Sequence, residues 1–316
     1  MNATAWTTQV LEVLAALAVA PLFLGWVNMC RAWLQNRRAP SLLLPYFGIH
    51  KLFHKDAVIA ETASPLFRAA PYVVFGSMVA AAAIIPSMGT RLPFSTAADA
   101  IALVGVLAVA RVFMSLAAMD IGTAFGTLGA RREMMIGFLA EPALLMIIFV
   151  ASLISATTAL PLIAERLATQ SLGLYPSLAF TAVAFTMVLL AENARIPVDN
   201  PATHLELTMI HEAMLLEYSA RHLALMEWAA ALKLFNYACI GFALFVPWGA
   251  AMGEAGPADL LVSIPMLAAK LAVAGLWLAL IETVSAKLRV FRAPEFLATA
   301  FLFAVLGLLV HLLLGA

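Results

Sequence analysis

Between Ala191 and His222 the chain reads AENARIPVDNPATHLELTMIHEAMLLEYSARH. Five carboxylates fall in this stretch: Glu192, Asp199, Glu206, Glu212 and Glu217. Arg195 and Arg221 are its only strong bases, and His204 and His211 stand seven residues apart. Acids crowded beside apolar packing raise one another's pKa and exchange protons near neutral pH. Histidines titrate in the same range and suit a relay. Pro197 and Pro201 stop the preceding helix, and a helical pattern resumes at about Ala202. On such a helix Glu206 and Glu217 would lie about 20° apart, with Glu212 about 120° away. A solvated acidic loop is the competing reading. Leu207, Met209, Ile210, Met214, Leu215 and Leu216 alternate with the acids, which a solvated loop would not carry.

Other chemistries find no support. His211-Glu212 lacks the second histidine that a zinc helix requires four residues on, so no metal site is expected. Cys30 and Cys239 are too few for an iron–sulfur cluster, which takes four thiolates. No serine or cysteine has a nucleophile's context. The glycines of IGTAFGTLGARRE, residues 121–133, do not follow a strand. Gly122 and Gly126 suit close packing of helix or loop rather than a phosphate cradle.

The elements that must position these residues are transmembrane helices. Of 316 residues, 64% are hydrophobic and 11% charged, with 18 Lys+Arg against 18 Asp+Glu. Mean hydropathy is +0.99. That excludes a soluble enzyme, a disordered chain and a nucleic-acid binder, which would need a basic excess. The fold class expected is an all-α integral membrane protein. Eight spans are expected, at about 5–29, 67–88, 98–118, 134–157, 174–193, 227–249, 258–282 and 295–315, in a single polytopic membrane domain. Residues 41–55, SLLLPYFGIHKLFHK, predict an amphipathic interfacial helix. Residues 196–226 form an acidic cytoplasmic segment. The first apolar run precedes the first basic residue, Arg31, and is expected to be a retained helix rather than a cleaved signal.

Thirteen of the 18 basic residues fall after odd-numbered spans: Arg31, Arg37, Arg38, Lys51, Lys55, Arg68, Arg131, Arg132, Arg195, Arg221, Lys287, Arg289 and Arg292. Those loops are therefore expected in the cytoplasm, with both termini outside. Charge inside the spans is costly, at least ~2.5 kcal/mol per residue at a helix centre, and marks function by default. Arg111, Asp120, Glu141, Glu192, Lys233, Lys270 and Glu282 are the candidates. Helix-end snorkelling or structural pairing is the alternative for Asp120, Glu192 and Glu282. A buried proton or ion path fits Glu141, Lys233 and Lys270.

Four blocks carry a resemblance. They are RAWLQNRRAPSLLLPYFGIHKLFHKD (31–56), ARVFMSLAAMDIGTAFGTLGARREMMIGFLAEPALLM (110–146), AENARIPVDNPATHLELTMIHEAMLLEYSARHLAL (191–225) and WLALIETVSAKLRVFRAPEFL (277–297). Together they resemble the membrane subunit shared by complex I, where it is the H subunit or subunit 1, and by energy-converting membrane-bound nickel–iron hydrogenases. In the latter it is formate hydrogenlyase subunit 4 or hydrogenase-4 component C. With eight spans in order, the resemblance covers nearly the whole chain. Ala39, Arg131 and Ala220 depart from the family's usual Gly, Ser and Gly, and none of these changes removes a carboxylate. Complex I proper would favour G-P-N-R-V-G-P and F-D-L-P-E-A-E-S-E-L where this chain reads NRRAPS and VDNPATHLEL. The hydrogenase branch is the better match.

The resemblance implies a non-catalytic subunit of an oxidoreductase complex in the bacterial inner membrane, with periplasmic termini. It would anchor a peripheral redox arm of large and small iron–sulfur subunits to antiporter-like membrane subunits and couple redox chemistry to proton movement. Asp120, Glu141, Glu192, Asp199, Glu206, Glu212 and Glu217 would form the coupling path, joined by Lys233 and Glu282. Arg195, holding Asp199 or a neighbouring acid, would support it with His204, His211 and Arg221. Arg37, Arg38, Lys51, Lys55, Arg131, Arg132 and Glu133 would dock the peripheral arm or, for the bases, anionic lipid. Topology signalling alone is the competing role for these bases. No cofactor is implied in this chain; iron–sulfur clusters, with or without nickel–iron, would sit on partners, and a quinone chamber is implied by the complex I branch alone. The alternatives are the quinone-site H subunit of an NADH:quinone oxidoreductase and a stand-alone ion transporter.

Overall fold

The computed structural model describes residues 3–90, 93–96, 99–169, 175–199, 209–252, 257–289 and 292–314. Among these residues the architecture is all-helical. Seven helices are long and apolar enough to cross a membrane: α1 (Ala3–Leu34), α3 (Pro65–Ile84), α4 (Ala100–Asp120), α5 (Ala124–Ser155), α9 (Ala220–Phe245), α10 (Pro257–Val284) and α11 (Ala293–Leu314). An eighth apolar helix, α7 (Pro176–Glu192), has 17 residues. The short helices are α2 (Leu44–Phe53), α6 (Leu160–Thr169) and α8 (His211–Leu215). The chain is thus a multi-pass membrane protein.

Local chemistry sets the joints. Ser64 caps α3, its hydroxyl accepting from Leu66 N at 3.1 Å, and Pro65 opens the helix. Asp99 does the same for α4, accepting from Ile101 N at 3.0 Å. Gly122, at φ +77°, lets the chain turn between α4 and α5, a backbone state that side chains disfavour. A Cβ on Gly126 would lie 2.8 Å from Ala118 O, so its hydrogen permits the two helices to close on each other.

Helix α9 is the central post. Of its most apolar stretch 67% is buried, against 22% for α11. Leu232, Leu234, Phe235, Tyr237 and Ile240 are all buried there, and α1, α3 and α7 pack around it. Polar side chains pin it to its neighbours: Asn236 Nδ2 donates to Met78 O at 2.9 Å, and Trp228 Nε1 to Leu17 O at 3.1 Å. Helices α5, α7 and α11 form a second packed group beside it, while α10 packs mainly on α1.

Two boundaries differ from the sequence expectation in ways that matter. The span expected from residue 134 begins at Ala124, which puts Glu133 well inside a helix rather than in a loop. The acidic segment expected to be helical from about Ala202 is, among its described residues, helical over His211–Leu215 and again from Ala220, where α9 begins, and Glu217 lies in the turn between. Three successive residues, Ala213, Met214 and Leu215, are buried, so this helix has no single wet face.

Candidate functional site

Five charged side chains from four helices converge inside the bundle. Arg111 of α4 is the hub. Its Nη1 pairs with Glu141 of α5, its Nη2 with Glu192 of α7, and its Nε lies 3.7 Å from Glu133 of α5. Lys233 of α9 pairs with the other oxygen of Glu192 at 3.1 Å. Side-chain exposure is 6% for Arg111, 7% for Glu133 and 1% for Glu192, but 34% for Glu141. The cluster therefore has one partly open member. Buried ions persist only when paired and hydrogen-bonded, and breaking such a pair costs about 3–5 kcal/mol. Two cations face three carboxylates, so one added proton brings the fully ionised cluster to neutrality.

The helix that carries two of these acids is built for the guanidinium. Glu133, Gly137 and Glu141 recur every four residues and share one face of α5. A Cβ on Gly137 would sit 2.7 Å from Arg111 Cδ and 3.0 Å from Cζ. The missing side chain is the space that Arg111 fills.

A second network lies near the basic ends of the helices. Glu282 of α10 accepts from Arg195 Nη1 at 3.1 Å and from Arg31 Nη1 at 3.5 Å. Asp199 pairs with Lys287 at 3.5 Å and accepts from His211 N at 3.3 Å. Leu288 N donates to Pro197 O at 2.8 Å. Residues 195–199 are thus stitched to α1 and α10.

Between α1, α2, residues 192–195, α8 and α9 opens a cavity of about 460 Å³. One part is apolar, with Leu24, Leu44, Ile49 and Leu215; the other carries Glu192, Arg195, His211, Glu212, Glu227 and Lys233. A smaller cavity of about 30 Å³ is lined by Arg111, Glu133, His211 and Lys233, enough for a water or two. His211 and Lys233 line both and stand between them. Burial, followed by the charge of Lys233, pushes His211 down to about 4. It is a neutral imidazole at neutral pH, able to accept on one nitrogen while donating from the other. Burial and the charge of Asp120 push the Tyr218 hydroxyl above its ordinary range. That hydroxyl donates to Phe67 O at 3.1 Å, and its ring stacks on Phe67.

The structure sorts the expected site residues into groups. Glu141, Glu192 and Lys233 meet at Arg111. Asp199, Arg195 and Glu282 form the second network, where Arg195 holds Glu282 rather than Asp199. His211 and Glu212 line the large cavity. Asp120 ends α4 and accepts from Ser64 N at 2.9 Å, fastening the start of α3. Glu217 and Arg221 are exposed, while His204 and Glu206 lie outside the described residues. Of the docking set, Arg37, Arg38, Lys51, Lys55 and Arg131 are exposed. Arg132 instead donates to Met209 O at 2.9 Å, and Glu133 is buried against Arg111.

Sequence reasoning gave no partners to Arg111 and missed the role of Glu133; the Glu133-Gly137-Glu141 spacing was the available signal. Glu12 was missed outright. Fully buried in α1, it accepts from Ser87 N at 2.6 Å, Ser87 Oγ at 2.7 Å and Met88 N at 2.8 Å, tying α1 to the chain after α3.

A family model described as NADH dehydrogenase matches residues 8–313. The chain belongs to that family. It is 33% identical over 301 residues to formate hydrogenlyase subunit 4 of Escherichia coli (strain K12), covering 94% of this chain and 95% of that one. It is 35% identical over 254 residues to hydrogenase-4 component C of the same organism, covering 80% and 79%. Its fold matches a chain of the membrane-bound sulfane sulfur reductase, an archaeal respiratory membrane complex, with TM-score 0.83 at 19% identity over 97% of this chain and 99% of that one. The resemblance read from the four sequence blocks is thereby established at the level of the family and its hydrogenase-type relatives.

Proposed function

We propose that this chain is the membrane-anchor and proton-coupling subunit of an energy-converting hydrogenase or formate-hydrogenlyase-like complex. The observation that carries the reading is the Arg111 cluster, with one acid in excess, whose Glu192 and Lys233 reach the wall of the large cavity beside His211. Protons enter the cavity from the cytoplasm, pass the His211–Lys233 partition and load the cluster. Glu141, its most exposed member, hands them on to antiporter-like neighbours in the bacterial inner membrane. The exposed bases Arg37, Arg38, Lys51, Lys55 and Arg131 dock a peripheral arm that holds the iron–sulfur clusters and any nickel–iron centre. The full-length similarity to two hydrogenase-type membrane subunits supports both halves of this reading.

Lys233→Met tests it in the assembled complex in sealed vesicles. Electron transfer by the peripheral arm should persist, while acidification of the vesicle lumen falls by roughly an order of magnitude. Undiminished acidification would sink the proton role of the cluster.

A second reading is that the cavity holds a quinone. Its volume of about 460 Å³ and its apolar side at Leu24, Leu44 and Ile49 favour this, since an apolar cleft with a few polar groups is what such ligands use. Saturable binding of a short-chain quinone, abolished by filling the cleft with Gly48→Trp, would support it.

A further inference from the structure

Helix α2 carries two histidines four residues apart, His50 in its last turn and His54 at its C-cap, both exposed. Residues at this spacing stand one above the other on a helix face. The two rings are 4.3 Å apart between centroids and 37° from coplanar. His54 Nδ1 lies 2.8 Å from the His50 carbonyl oxygen. A carbonyl only accepts, so Nδ1 is the donor and, in the neutral ring, Nε2 keeps its lone pair. Metal-binding histidines are oriented in this way, by a hydrogen bond from the nitrogen that does not bind the metal. Neither ring nitrogen of His50 is hydrogen-bonded among the described residues.

We propose that His50 and His54 form a two-imidazole chelate for a divalent first-row transition ion. Paired histidines at this helical spacing supply two of the ligands in zinc helices, and neutral imidazole suits zinc, copper and nickel. No third His, Cys, Asp or Glu completes a metal-holding set among the described residues. The ion's remaining positions are therefore open to water. Lys51 and Lys55 neighbour the pair in sequence, and their charge opposes a cation. Both facts make this a reversible site, weaker than a four-ligand structural one. Copper(II), the tightest binder of the series, should bind best. The site is independent of the proton-coupling reading, because neither histidine belongs to an element that supplies the Arg111 cluster.

The test uses the untagged full chain in lipid nanodiscs, titrated with Cu²⁺ at about pH 7.5 and then with Zn²⁺ as competitor. A single saturable equivalent is expected, with a paramagnetic spectrum showing two coupled nitrogens. His50→Ala and His54→Ala should each weaken binding roughly tenfold or more and reduce the pattern to one nitrogen. Both positions are exposed, so helix content should be unchanged in either variant. Absence of saturable binding, or binding that neither substitution weakens, would overturn the proposal.

Discussion

At the residue scale the site depends on what is absent as much as on what is charged. Gly137 lies within α5, where Gly→Ala ordinarily stabilises a helix by up to about 1 kcal/mol. Here the added Cβ meets Arg111 Nη1 at 2.5 Å and Cδ at 2.7 Å. Gly137→Ala should therefore destabilise the chain, by about 1–3 kcal/mol, as overpacking does. Thermal unfolding in detergent checks the sign; a stabilised variant would show that Arg111 is not packed against α5. His211 gives a pH-dependent counterpart. Its folded value of about 4 lies below the ordinary 6.5, so the unfolded chain takes up a proton first as pH falls. Its contribution is complete above 6.5 and is lost between 6.5 and 4, with a ceiling of roughly 3 kcal/mol. His211→Asn, which cannot titrate there, should lose less stability than the parent between pH 7 and pH 5. Equal losses would mean that His211 is not held neutral.

At the element scale, the apolar runs were legible because lipid demands about 20 of them in a row. The amphipathic α2 was legible for a similar reason. Partner choice was not. Glu133 follows Arg131 and Arg132, and the resemblance placed it with them in the docking set; the early start of α5 at Ala124 sets it inside a helix, buried against Arg111. The angle between Glu206 and Glu217 assumed one continuous helix. In the structure Tyr218 N donates to Leu215 O at 3.0 Å in a turn that ends α8 before Glu217. The position of α8 rests on Gly129, where a Cβ would fall 2.8 Å from Ile210 O, a backbone atom with little freedom to give way. Gly129→Val should push α8 off α5 and raise amide exchange in residues 211–215 by roughly tenfold or more, with α4 unaffected. Unchanged exchange would show that α8 is held from elsewhere.

At the scale of the whole molecule, charge is divided between two tasks. Arg37, Arg38, Lys51, Lys55 and Arg131 are exposed, and in the sequence they read as a topology signal. Among the described residues, the buried ion pairs form two networks, with Glu12 held separately by Ser87 and Met88. One ties α1, residues 195–199 and α10 together through Glu282; the other joins α4, α5, α7 and α9 through Arg111. Charge positions alone showed that the spans held something costly, but which acid meets which base depends on interhelical packing that one sequence does not display. The central claim is that the Arg111 cluster carries protons coupled to electron flow. The ratio of protons moved per electron, measured in sealed vesicles for Glu192→Gln with Glu192→Asp as control, tests it most directly. The account predicts that Glu192→Gln leaves the peripheral arm attached and drops this ratio severalfold, with Glu192→Asp restoring much of it. An unchanged ratio in Glu192→Gln at equal electron flux would contradict it.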